Sequence, residues 1–166
     1  MRRDLNFERL GDAVGEARSL LESGYTQAGN WTLGQVCRHM RLTIESNMQG
    51  YPGWMSVLGY PLRPLLRRFA LPMLLAGNSP QGIRTAGMFV PPANLDDAQE
   101  VDRFQECVAA FLASDHPMHP HPGFGAMTNE GFHRFHAAHA AHHLGFLHPS
   151  DAERGGLGAD LVQKRG

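Results

Sequence analysis

Apolar residues recur at helical spacing in four stretches of this chain, and nowhere do they alternate long enough to write a convincing strand. The first stretch, residues 6–23, puts Phe7, Leu10, Val14, Ala17 and Leu21 on one stripe, with Gly24 as its terminator. The second follows Trp31. Thr32 stands as its N-cap, Leu33, Val36, Cys37, Met40, Ile44 and Met48 form its stripe, and Gly50, Pro52 and Gly53 end it. The third, residues 96–113, carries Asp96, Asp97 and Glu100 in its first turn and Val101, Phe104, Val108, Phe111 and Leu112 on its apolar face. The fourth begins after Thr128 as cap and stops before Pro149.

Four amphipathic helices without strands predict an all-α fold, most simply a four-helix bundle. Residues 49–95, between the second and third helices, are rich in glycine and proline and read as a long irregular connection, with room for a short helix in PLRPLLRRFALPMLLAG. A chain of 166 residues is one domain by length, its core at residues 5–149 and a polar, glycine-containing tail at 151–166 that reads as loose.

The fourth helix changes the picture. FHRFHAAHAAHHLGFL, residues 132–147, holds five histidines in sixteen residues. At about 100° per residue, His136, His139 and His143 share an arc of roughly 60°, flanked by Phe132, Phe135, Phe146 and Leu147. The buried face of this helix is therefore also its histidine face. Neutral imidazoles crowded into an interior are explained economically by a cation that they bind.

His139 and His143, four apart, have the spacing that lets two imidazoles hold one metal ion. The glutamate of a zinc-protease motif is missing, since Ala140 follows His139. His39, at the border of the second helix's stripe, is the best third ligand, with Gln35 and Thr43 one turn to either side. Three histidines leave coordination positions for water or substrate, as a reactive site requires. His136 adds a fourth inward imidazole: a ligand, a partner to a ligand, a proton shuttle, or a hydrogen-bonded core histidine.

Other polar groups read more plainly. His142 and His133 fall at and beyond the edge of the arc, as surface or dimer-interface positions. His116, His119 and His121, interleaved with prolines, suit a loop wrapped over the end of the bundle. Arg63, Arg67 and Arg68 read as a solvated helix face before an anion clamp. Glu45 lies about 240° round the helix from His39 and points away from the site.

Composition excludes several classes. With 15 basic and 16 acidic residues and a net charge of −1, the chain as a whole carries no footprint for nucleic acid. Two cysteines make no disulfide framework, and MRRDLNFERL has no apolar core segment, so no signal peptide is expected. The longest apolar stretch, residues 69–76, is broken by Pro72 and too short to span a bilayer. The expectation is a cytoplasmic protein with neither membrane nor nucleic acid as partner. No phosphate-binding glycine loop, Ser/His/Asp set or carboxylate pair can be defended, so any catalysis would need the metal to lower the pKa of a bound water or thiol.

NWTLGQVCRHMRLTIESNMQGYP resembles the second-helix signature, and HPGFGAMTNEGFHRFHAAHAAHHLGFL the last-helix signature, of the DinB/YfiT-like superfamily, within which the nearest likeness is a bacterial branch of unknown function. Gly131 and Phe132 stand where that family commonly has an acidic residue and a tryptophan. The resemblance, over residues 5–149, implies a four-helix bundle, often a homodimer, with one divalent metal held by His39, His139 and His143. Zinc or nickel suits imidazole, as does iron. Some relatives transfer low-molecular-weight thiols, which implies a thiol-using transferase acting on a small-molecule substrate. A metal-dependent hydrolase, or a non-catalytic metal-binding or dimerising scaffold, remains open beside it.

Overall fold

The structure is a computed structural model that describes residues 1–78 and 85–150. The tail at 151–166 and the stretch 79–84 of the long connection lie outside the described residues.

Helix dominates. The four long helices are α1 (Leu10–Ser23), α2 (Leu33–Gln49), α6 (Asp97–Leu112) and α7 (Asn129–Leu144), and between α2 and α6 lie the short α3 (Gly53–Gly59), α4 (Arg63–Leu65) and α5 (Leu71–Leu75). Their starts are chemically specified. The Thr32 hydroxyl accepts from the Gln35 N–H while the Gln35 side chain accepts from the Thr32 N–H, a reciprocal box at the head of α2. Asp96 caps α6 through the Gln99 N–H, and Thr128 caps α7 through the Gly131 N–H.

All four long helices pack on one core. Leu10, Leu20, Leu33, Met40, Ile44, Phe104, Phe132 and Leu144 have essentially no exposed surface, and α6 lies chiefly against α2 while α7 lies against α1. The stripe on α1 is rotated from its sequence reading: Ala13 and Leu20 are more buried than Val14 and Leu21. Leu112, expected in the core, is 49% exposed, whereas Phe111 beside it is buried.

Three expectations are corrected. Strands exist: β1 (Tyr25–Gln27) pairs antiparallel with β2 (Leu147–Pro149), and the Ala28 N–H extends the ladder to the Phe146 carbonyl at 2.8 Å. Three-residue strands joined across the length of the chain leave no alternation to read. The last helix therefore ends at Leu144 with Gly145 as its cap, and Pro149 closes a strand rather than a helix. The long connection is also more ordered than its composition suggests, because residues 53–75 form an unbroken run of α, 3-10 and π turns. Its prolines at 61, 64 and 72 sit in the first turns of successive short segments, where no N–H is needed.

Arg67 and Arg68 are exposed, as a solvated face requires, but Arg67 and the half-buried Arg63 also bond the loop that follows α6. Arg63 Nε donates to the Pro122 carbonyl, and Arg67 Nη1 to those of Phe124 and Ala126. They fasten the run to the histidine-rich loop, whose other side is held by Asn47: its Nδ2 donates to the His119 carbonyl and its own carbonyl accepts the His119 N–H. The loop thus wraps over the helix ends, as its prolines suggested.

Candidate metal centre

The β1–β2 pairing matters to the site because it ties the end of α7 to the segment leading into α2. That segment carries Trp31, and α2 carries His39 two turns further on. His139 and His143 face them from successive turns of α7.

Three imidazoles converge there. His139 Nε2 lies 3.0 Å from His143 Nε2 and 3.4 Å from His39 Nε2, and ligand atoms of all three fall within 4.8 Å of one another. Two nitrogens bound to one zinc-like ion at about 2.05 Å across a tetrahedral angle stand roughly 3.3 Å apart. The observed spacings bracket that value.

The tautomer of one ring is fixed independently. His39 Nδ1 lies 2.8 Å from the Phe89 carbonyl, which can only accept, so Nδ1 carries the proton and Nε2 presents its lone pair to the cluster. Burial lowers the pKa of His39, and burial together with the neighbouring histidines holds His139 and His143 well below the usual range. All three are neutral near pH 7, the form that ligates a metal.

The surroundings restrict access. Trp31 stacks on His143 with centroids 5.4 Å apart and leans on His39 at 4.9 Å. His39 is buried, whereas His139 and His143 each keep part of their surface open to solvent. Tyr51 and Phe89 pack edge to face at 6.3 Å beside the centre. A cleft of about 690 Å³ opens beyond them, lined among others by Tyr51, Arg63, Met88 and His119, but by none of the three histidines.

The remaining candidates separate cleanly. Gln35 and Thr43 are engaged with backbone: Gln35 with Thr32 and Pro92, Thr43 with the Met40 carbonyl. Glu45 pairs with Arg41. His142 bonds Arg2 at 2.8 Å. His133, expected at the surface, is half-buried and its Nε2 accepts the Leu10 N–H at the start of α1. His136 is fully buried among Phe111, Phe132 and Phe135, and neither ring nitrogen has a hydrogen-bond partner among the described residues. Burial pushes its pKa down to about 3.

Sequence reasoning missed Trp31 as a wall of the site and Phe89 as the group that orients His39. An aromatic just before a helix cap could have signalled the first. A backbone carbonyl fifty residues away left no signal at all.

Residues 1–150 match the model of a family described as "Protein of unknown function (DUF1569)". The chain belongs to this family. No curated protein and no solved structure matches it. In this DUF1569 chain all three converging histidines, Trp31 and Phe89 lie inside the matched span.

Proposed function

We propose that this DUF1569 chain is a DinB/YfiT-like four-helix bundle whose three histidines hold one divalent ion, zinc or nickel ahead of iron, for chemistry on a small molecule. One observation carries the reading: three neutral imidazoles aim ligand nitrogens at a common point, and the Phe89 carbonyl fixes the tautomer of one. Two histidines in contact could share a hydrogen bond, but a third lone pair in the same place leaves acceptors facing acceptors, which a cation resolves.

The bound ion would supply a Lewis acid able to activate a small thiol or a water near neutral pH. Every other contribution comes from the chain. Among the described residues the cluster of possible ligands is histidine alone. Trp31 covers one side of His39 and His143, so a substrate approaches past the partly open His139 and His143. His136, one turn before His139, has both ring nitrogens without a hydrogen-bond partner among the described residues and would be a group able to relay a proton. A thiol, more acidic than water, needs less help from a base to become the nucleophile.

The first test is metal analysis of tag-free protein, with about one ion per chain expected and wild-type content in both His139→Ala and His143→Ala refuting the site. The second is a screen of low-molecular-weight thiols against halogenated and epoxide acceptors. Metal-dependent turnover lost in His39→Ala supports the transferase. Turnover of esters or amides without thiol would make the protein a hydrolase, and a loaded site inactive in both screens would make it a sensor or scaffold.

A further inference from the structure

Among the described residues, 53–75 pack on the rest of the molecule along one side. Their inner side meets α7 and the loop at 121–126, held by Arg63 and Arg67. On the outer side Trp54, Val57, Leu58, Leu62, Leu65 and Phe69 are each more than half exposed. The steps from 54 to 58, 62, 65 and 69 are those of one helical stripe, and the run is helical throughout. An apolar stripe of this length open to solvent marks a binding surface.

The charge on this part of the chain is of one sign. No aspartate or glutamate occurs between Glu45 and Asp96, while four arginines do, in a protein where acidic residues outnumber basic ones 16 to 15. Arg68 borders the stripe, its guanidinium 5.5 Å from the Phe69 ring centre, while that of Arg63, whose Nε is turned to the loop, lies 5.2 Å from the ring centre of Tyr60. Arg68, Phe69, Trp54 and Tyr60 all face solvent.

We propose that the outer face of residues 53–75 docks on an anionic lipid surface, lying in the interface plane. Leucine, valine and phenylalanine would enter the acyl boundary, tryptophan and tyrosine would sit at headgroup level, and Arg68 would meet phosphates. No helix among the described residues is long and apolar enough to cross a membrane, so the contact is peripheral. The sequence expectation of no membrane partner rested on the lack of a spanning segment and did not address this face. Charge argues against a second copy of the chain. A two-fold pairing of the stripe would bring the cationic Arg68 of each copy into the interface with no acidic residue in the run to receive it.

The test is co-sedimentation of the full chain with vesicles of equal phosphatidylglycerol and phosphatidylcholine, against vesicles of phosphatidylcholine alone. Binding to the anionic vesicles is expected, weakened by salt, with a blue shift of tryptophan emission that disappears in Trp54→Phe. The double variant Leu58→Glu/Leu65→Glu should abolish binding with helical circular dichroism and metal content unchanged. Arg68→Gln should weaken it about fivefold, the effect of one basic side chain near such a surface. Absence of sedimentation, or equal binding to both vesicles, overturns the proposal. A chain that dimerises in solution, ignores vesicles and becomes monomeric in the double variant would assign the face to a second copy instead.

Discussion

Side chains at the centre differ in what their loss should do. His139 touches both other ligand nitrogens, at 3.0 and 3.4 Å, whereas His39 and His143 each touch it from one side. His139→Ala is therefore expected to reduce metal content most, to background by elemental analysis, with the helical circular dichroism retained. Trp31 makes a different prediction. Its ring covers His143 and His39 without offering a ligand, so Trp31→Ala should leave about one ion per chain but speed its removal by a chelator, measured as a faster exchange rate. Unchanged exchange would mean that Trp31 does not guard the site. The residues that a sequence can give away are those whose type and spacing carry the chemistry. His139 and His143 were legible because four residues make about one helical turn, and His39 because it borders an apolar stripe. Phe89 was not, since its contribution is a carbonyl that every residue possesses, delivered by a 3-10 turn at Gly87–Phe89.

Among whole elements, the α2–α6 pair shows how local periodicity and tertiary context divide the information. Both helices were legible from their stripes and caps, because apolar spacing and Thr32 or Asp96 act within a few residues. Glu100 was not. It reads as a first-turn acid suited to the helix dipole, yet it is 1% exposed and meets Arg103 Nη1 at 2.9 Å and Arg41 Nη2 at 3.6 Å. Two of the cations that surround it come from α2, Arg41 and Arg38, so their approach depends on how α2 and α6 cross rather than on either sequence alone. Removing the carboxylate loses charge-assisted bonds while the arginines keep part of their surface in water and Arg41 keeps Glu45, a cost of about 1.5–3 kcal/mol. Glu100→Ala should lose stability on that scale in urea unfolding. Thr32→Ala, which removes the cap of α2, should lose only about 1 kcal/mol. A Glu100→Ala loss no larger than that of Thr32→Ala would show that the arginines reach water once the carboxylate is gone. The β1–β2 pairing was illegible for the same non-local reason, its partners standing at opposite ends of the described chain.

Across the whole molecule, histidine links stability to pH. Burial lowers the pKa of His136 to about 3 and, with the charge of Arg63, that of His121 to about 4; His39, His139 and His143 are lowered as well. Unfolded, these rings return to about 6.5. The denatured state therefore binds more protons than the native state below that pH. The stability these neutral rings contribute is complete above about pH 6.5 and is lost as the pH falls toward their folded values. Each such group costs about 1.4 kcal/mol per pH unit inside its window, so His136 alone removes roughly 2 kcal/mol between pH 6.5 and 5. Metal-free protein should show a melting temperature that is flat above pH 7 and falls steeply from pH 6.5 downward, with His136→Phe shallower than wild type in that range. A bound ion should add stability at pH 7, since it binds the native site and not the unfolded chain. That increment should vanish on acidification, because protonating His39, His139 or His143 expels the ion. Two melting series from pH 8 to 5, with and without added zinc, check both points. Parallel curves would mean that these three histidines do not hold the metal. A flat metal-free curve would mean that the buried rings are already solvated in the folded protein.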